Sequence, residues 1–481
     1  MKRNIYYSKI VNSEYFSSIE FDLTSLCNLK CSYCYLEKRE RSLGLCYETI
    51  DSFIGKYVKP NVSKIKVMEV FFWGGEPLIS FETIKYIINS LDNLKSDCIF
   101  KYKIITNGTL ITHEIAQFCT EKSFSLQVTI DGTKTTHDKN RKQINNKGSY
   151  DLIVNNLSIL SSNNTDYYIR VTLTPDTGSI NSIIEDYSKI GIQKILFGIV
   201  TETSEFKIKS QNNYAIKFAD EIFYSYLKSS TPLILNIEDF IIIFFADTYR
   251  KTCGVSHKKV TVGIDGKLYP CHRFVTKNKF SIGSIEEGLI KNNLPTTEIV
   301  EECHICQWRH FCGGYCLYQV LTENDESPLQ KGTCIFTQRM IYNILKYIVD
   351  LFLNNRFEFN KIANKYHSKG YLENLSQMKC LNTKEIATQI FKKSEELNVI
   401  DLNSEGIAYK TAHFGRKYIM NVLSMAILDL IDCNRTAQEI TQEIANVCEV
   451  EFETIKDDIY GQLAAFQELG LVEEVATASH A

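Results

Sequence analysis

A chain of 481 residues, 44% hydrophobic and 12% aromatic, is long enough for two to four domains with sizeable cores. Its formal net charge of −3 excludes a polycation built for nucleic acid or acidic membranes. The N-terminus has no apolar signal core, and the longest apolar run, Phe240 to Ala246, is too short to span a bilayer, so a cytoplasmic, membrane-free chain is expected. In such a chain sixteen Cys read as metal ligands before disulfides.

In chain order, six β-rich segments stand out: Ile19 to Leu23, Val67 to Trp73, Phe100 to Ile105, Leu126 to Ile130, Tyr168 to Thr174 and Lys194 to Val200. Helical patterns separate them, which predicts right-handed βαβ units, a parallel sheet and an α/β fold of the partial (β/α)6, TIM-like kind. Chemistry in such folds collects in the loops after the strands. The first of these loops carries Cys27, Cys31, Tyr33 and Cys34. Three thiols in eight residues with no fourth beside them form an incomplete metal site, because structural zinc and ordinary ferredoxin clusters want four protein ligands. A redox or zinc thiol pair with a spare Cys is the alternative reading of this loop. The second loop carries Gly74, Gly75 and Glu76, suited to close backbone approach and to an ammonium partner, or simply to a tight turn. Asn107 ends the third segment, Thr129 and Asp131 end the fourth, and His137 and Arg141 follow. Turn formation, and for Arg141 a surface ion pair, are the plain alternatives.

From Thr201 to Arg250 the pattern is helical and linker-like, and a second thiol-rich region follows. It contains Cys253, Gly266, Cys271, Cys303, Cys306, Cys312, Cys316 and Cys334, with His272 directly after Cys271. C-x2-C-like knuckles of this kind also suit zinc. The other six, Cys46, Cys98, Cys119, Cys380, Cys433 and Cys448, read as packing residues. A helix from Arg339 to Phe352 leads to a polar connector ending near Glu396. Beyond it the sequence predicts a hairpin (Asn403 to Lys410 and Arg416 to Asn421) and helices at Val422 to Ile431, Thr436 to Cys448 and Phe452 to Leu469. Thr436 and Glu439 form a capping box, Ile455, Ile459, Leu463 and Phe466 share one face, and Gly470 precedes a last strand, Leu471 to Val475. This is a winged-helix outline. From Glu396 onward there are five Lys or Arg against fifteen Asp or Glu, a net −10, which argues against a nucleic-acid reader.

The three-Cys loop followed one βα unit later by Gly-Gly-Glu resembles the signature of the radical S-adenosylmethionine (SAM) enzymes. That resemblance implies a [4Fe-4S] cluster on Cys27, Cys31 and Cys34, with SAM at its open iron. It further implies Gly74, Gly75 and Glu76 at the SAM amino group, and Tyr33, Asn107, Thr129 and Arg141 around SAM. The seven-Cys order with Gly266 resembles the SPASM extension, which implies two auxiliary [4Fe-4S] clusters, one on Cys303, Cys306, Cys312 and Cys334, the other on Cys253, Cys271 and Cys316. The latter has either an open iron or His257 as a further ligand. His272 stands where an Asp base is expected in the sulfatase-maturing branch. The stretch Ile419 to Ile440 resembles PqqD-like leader-recognition domains, which add a precursor's leader to the hairpin edge. The implied organisation is a barrel at 15–235, a SPASM domain at 236–340, a helical connector at 341–395 and a PqqD-like domain at 396–475. The implied function is a maturase of a ribosomally made precursor peptide that installs a cross-link, in the first place a Cys thioether of the sactipeptide or ranthipeptide type. Its electron donor would be of the flavodoxin or ferredoxin kind. A carbon–carbon cross-linking enzyme, a sulfatase maturase and a zinc-binding winged-helix regulator are the alternatives, with no catalytic base assigned.

Overall fold

Six strands alternate buried apolar residues with residues of the opposite face: β1 (Ser18–Asp22), β2 (Val67–Trp73), β3 (Ile99–Thr106), β4 (Ser125–Thr129), β5 (Asp166–Leu173) and β6 (Lys194–Ile199). They pair in that order, all parallel, as the βαβ alternation requires. One face buries Phe21, Val70, Phe72, Ile104, Leu126, Val128, Ile169 and Val171. The connecting helices each bury an apolar stripe, for example Ile84, Ile87, Ile88 and Leu91 of Phe81–Asp92. Each such side chain contributes about 1.5–3 kcal/mol. The computed structural model describes residues 15–36, 44–200, 211–228, 231–246, 258–290, 301–314, 316–322, 332–366, 371–374, 386–403, 405–410, 412 and 416–475.

The sheet runs on past the six strands. Leu233–Ile234 pairs with β6, and at the opposite edge Lys259–Val262 lies parallel to β1, followed by antiparallel Lys267–Tyr269, Gly283–Ser284 and Gly288–Leu289. This continuation brings Cys271 and His272 beside β1. No helix among the described residues is long and apolar enough to cross a membrane.

By compactness the chain forms two units, one of 1–238, 251–306 and 312–340, the other of 239–250, 307–311 and 341–481. In the second, a four-stranded sheet has the order Tyr371–Asn374, Arg416–Asn421, Glu405–Lys410, Leu397–Asp401, the first pair parallel and the others antiparallel. Helices Val422–Leu430, Ala437–Cys448 and Phe452–Glu468 close a core that includes Met420, Ile427, Ile440, Ile459, Leu463 and Phe466. Thr436 and Glu439 make the reciprocal capping box. Both edges of the central hairpin are thus taken by strands of the same chain. Cys98 and Cys119 are buried, but Cys46, Cys433 and Cys448 are exposed rather than packed in a core. Cys433 sits in a polar turn at φ +70° and Cys448 on the outer end of its helix, positions whose neighbours in sequence disguise them as core. Cys380 lies outside the described residues.

Candidate functional site

The three-Cys loop leaves β1 and is pinned by its neighbours. Gly75 N donates to Thr24 O at 2.7 Å and Glu76 N to Leu26 O at 2.8 Å. A Cβ on Gly75 would stand 2.2 Å from Leu26 O, and one on Gly74, at φ +152°, 2.5 Å from Thr24 O. The two glycines therefore serve backbone-to-backbone contact with the thiol loop. On the far side Leu29–Cys31 forms a ribbon with Arg141–Gln143, and Ser32 N donates to Asn140 O at 2.9 Å. The loop is held from two directions before any ligand binds.

Glu76 is fully buried. Its Oε1 accepts from Thr106 Oγ1 at 2.7 Å and Leu78 N at 3.1 Å, and its Oε2 from Asn107 N at 2.7 Å. It shapes the loop after β3 through these contacts. Asn107 Nδ2 in turn donates to Asn28 Oδ1 at 2.9 Å, and Asn28 Nδ2 donates to Thr109 Oγ1 at 2.7 Å. Asn28, inside the three-Cys loop, escapes sequence reading because an Asn in a loop carries no signal of its own.

Tyr33 donates to Asp131 Oδ2 and accepts from Arg141 Nη1 at 2.8 Å. Arg141 is no surface residue: its side chain is 11% exposed and lies 3.8 Å from the wholly buried Asp131 carboxylate. Asp131 Oδ1 accepts from Thr172 N at 2.9 Å, and Asp131 N donates to His137 Nδ1 at 3.1 Å. That bond fixes the tautomer, so His137 Nε2 donates to Ser149 Oγ at 2.9 Å and Ser149 Oγ to Arg141 O at 2.7 Å. Burial, with the Arg141 charge added, holds His137 neutral with a pKa of about 3.

Cys27, Cys31, Tyr33, Cys34, Gly74, Gly75, Asn107, Thr129, Arg141, Arg170 and His272 all line one cavity of about 340 Å³, the size of a small-ligand site. Burial pushes the Cys31 thiol up to about 12, with Arg141 lowering it and Cys34 and Cys27 raising it further. The Cys27 thiol is also raised by burial, and Glu76 and Cys34 reinforce this. Three partly buried thiols lining one cavity are soft-metal donors, and the loop supplies no fourth, so the residues fit a cluster with one open iron.

At the β1 edge of the same cavity His272 Nδ1 lies 3.2 Å from each Glu20 oxygen, and His272 N donates to Glu20 Oε2 at 2.8 Å. Glu20 also accepts from Lys259 Nζ at 2.9 Å and Thr261 Oγ1 at 2.6 Å. Burial raises the Glu20 pKa, but His272 and Lys259 overcome it and hold the carboxyl well below the usual range.

The second thiol set divides in two. Burial pushes the Cys334 thiol well up, and neighbouring Cys312, Cys306 and Cys303 add to it. Gln338 Nε2 donates to Cys334 Sγ at 3.3 Å. Cys316 is raised by burial, with Arg273 lowering it and Cys271 raising it, so Cys271 and Cys316 share a separate neighbourhood. Cys253 and His257 lie outside the described residues.

Among known proteins, the chain is 27% identical over 341 residues to a cysteine-type anaerobic sulfatase-maturating enzyme of Clostridium novyi, covering 64% of this chain and 88% of that one. It is 23% identical to the antilisterial bacteriocin subtilosin biosynthesis protein AlbA of Bacillus subtilis, covering 63% and 68%. Among solved structures, native anSMEcpe with bound AdoMet shares the fold at a TM-score of 0.55 and 20% identity, over 73% of this chain and 99% of that one. Residues 22–201, which carry the three-thiol loop and most of the parallel sheet, match the Radical SAM superfamily, and the chain is an enzyme whose core resembles that superfamily.

Proposed function

We propose that this enzyme uses SAM to install an oxidative cross-link in a ribosomally made precursor peptide, with a Cys thioether as the first expectation and a carbon–carbon bond as the second. The observation that carries the reading is the convergence of three thiols, the Gly-Gly loop, Asn107, Thr129 and Arg141 on one cavity. When bound, a [4Fe-4S] cluster on Cys27, Cys31 and Cys34 with SAM supplies a 5'-deoxyadenosyl radical, and clusters on Cys303, Cys306, Cys312 and Cys334 and on Cys253, Cys271 and Cys316 supply an electron acceptor. The chain's own residues do the rest. The Gly74-Gly75 backbone, with the remaining acceptor capacity of Glu76, suits the SAM ammonium, and Arg141, held by Tyr33 and Asp131, suits its carboxylate. Thr129 and Asn107 offer further polar contacts. The cavity walls exclude water and hold the peptide carbon close to its reaction partner, conditions a carbon radical requires.

The acidic C-terminal unit is proposed to bind the leader as an added strand. Because Tyr371–Asn374 already pairs with Arg416–Asn421, the leader must either exchange with that four-residue strand or use the outer edge at Leu397–Asp401. Sulfatase maturation is the second reading, favoured by the 27% identity to the Clostridium novyi enzyme and opposed by His272 in place of an Asp. Co-expression with a short Cys-rich precursor, followed by mass spectrometry, tests the proposal. A loss of two hydrogens is expected; an unchanged mass while SAM is consumed would reject cross-linking.

A further inference from the structure

Charges on the inner face of the sheet are matched almost throughout. Glu20 is met by Lys259 and His272, Glu69 by Lys103 at 2.8 Å, and Arg141 by Tyr33 and Asp131. Arg170 on β5 is different. Its guanidinium lines the cavity with Gln127, Thr172 and Ile199, and among the described residues it has neither hydrogen bond nor ion pair, Asp131 acting on it only from a distance.

The neighbouring strand makes room for it. A Cβ on Gly198 of β6 would stand 1.8 Å from Arg170 Nη2, 2.1 Å from Nη1 and 2.3 Å from Cζ, so the guanidinium plane lies across that glycine. An arginine stays cationic at any working pH, and Arg170, half-buried in the cavity wall, is partly withdrawn from water with no partner to offset the loss. A ligand that brings its own anion removes that cost, and the guanidinium fork matches a carboxylate in two bonds.

SAM itself carries a carboxylate, but the two arginines differ in their relation to the thiols. Arg141 pairs with Cys31 in the ribbon and donates to Tyr33 inside the three-Cys loop, whereas Arg170 stands on β5 across Gly198 of β6. The amino-acid end of SAM belongs at the thiols and thus with Arg141. We propose that Arg170 receives the carboxylate of an acidic side chain of the peptide substrate, and so selects peptides with Asp or Glu near the reacting position. This inference rests on the reading of the cavity as the place where SAM and peptide meet.

The test uses the anaerobically reconstituted full chain with SAM and two fluorescent pools of short, C-terminally amidated peptides, identical except that each member carries one Asp in the first pool and Asn in the second. Fluorescence anisotropy is expected to show the Asp pool held about tenfold more tightly or better, with the preference lost in Arg170→Met and only partly kept in Arg170→Lys. Gly198→Ala is a second route, since its methyl displaces the end of a flexible side chain and not backbone; it is expected to weaken the preference in a protein that still melts cooperatively. Equal binding of the two pools by the wild type, or an undiminished preference in Arg170→Met, overturns the proposal. So does a tenfold loss of SAM affinity in Arg170→Met by equilibrium dialysis, which would assign the cation to the cofactor. Failure of the underlying reading shows separately, as absence of 5'-deoxyadenosine from the reduced wild type, while the pool preference still reports on Arg170.

Discussion

The two thiol regions are built in different ways. Cys27, Cys31 and Cys34 sit on a loop fastened by the glycine turn after β2, by the Arg141–Gln143 ribbon and by the Asn28–Asn107 bond. Cys303, Cys306 and Cys312 stand on or beside helices of four residues each, Glu301–His304 and Arg309–Cys312, and only Cys334 belongs to a long element, Gly332–Asn354. The sheet therefore imposes the first arrangement, while the second is expected to lean on the clusters proposed for it, in the way metal affinity becomes folding free energy in small metal domains.

Iron removal gives the largest effect that could break this comparison. Anaerobic chelation is expected to abolish hydrogen-exchange protection in Glu301–His304 and Arg309–Cys312 by about a hundredfold or more, with β1 and Leu29–Cys31 far less changed. Equal loss in both regions would remove the distinction.

Gly75→Ala probes the fastening directly. Its Cβ meets backbone, Leu26 O at 2.2 Å, which cannot yield as a side chain would, so a destabilisation of roughly 1–3 kcal/mol is expected. Gly55→Ala meets nothing within 4 Å and is the matched control, expected to stay within about 1 kcal/mol of wild type in denaturant melts.

A smaller effect is expected from pH. His137, which braces Asp131 and the Arg141 carbonyl, is neutral in the fold with a pKa of about 3, against about 6.5 when unfolded. Between those values the unfolded chain binds the extra proton and the native one does not. Stability is thus fully present above pH about 6.5 and declines as the pH falls toward 3, at up to about 1.4 kcal/mol per pH unit from this group. Urea midpoints of wild type and His137→Gln across that window measure it: the variant should show the shallower slope, and parallel curves would deny His137 this role.

The fold of the parallel sheet is legible in the sequence because buried parallel strands are apolar and regularly spaced; all six segments emerge within two residues of their expected ends. The continuation of the sheet at Lys259–Val262, Lys267–Tyr269 and beyond is not, since strands of two to four residues are too short for an alternation to register. Likewise Leu397–Asp401 carries only a weak strand signal, because its alternation breaks after three residues at the adjacent apolar pair Val399 and Ile400. In the site, residues with a spacing signature, the three thiols and Gly-Gly-Glu, can be found by pattern. Glu20, Asn28 and Arg170 cannot, because their significance comes from strands and loops distant in sequence that the sheet brings together. The glycine turn shows the limit of pattern reading: its position is evident, but that it clamps backbone to backbone needs the geometry.

The most direct measurement is SAM cleavage by the anaerobically reconstituted chain under a strong reductant, compared with a variant carrying Cys27→Ala, Cys31→Ala and Cys34→Ala together. A brown wild-type protein that releases 5'-deoxyadenosine, and a triple variant that releases none while keeping the iron of its second thiol region, is the predicted result. A colourless wild type, or equal product from both proteins, would contradict the account.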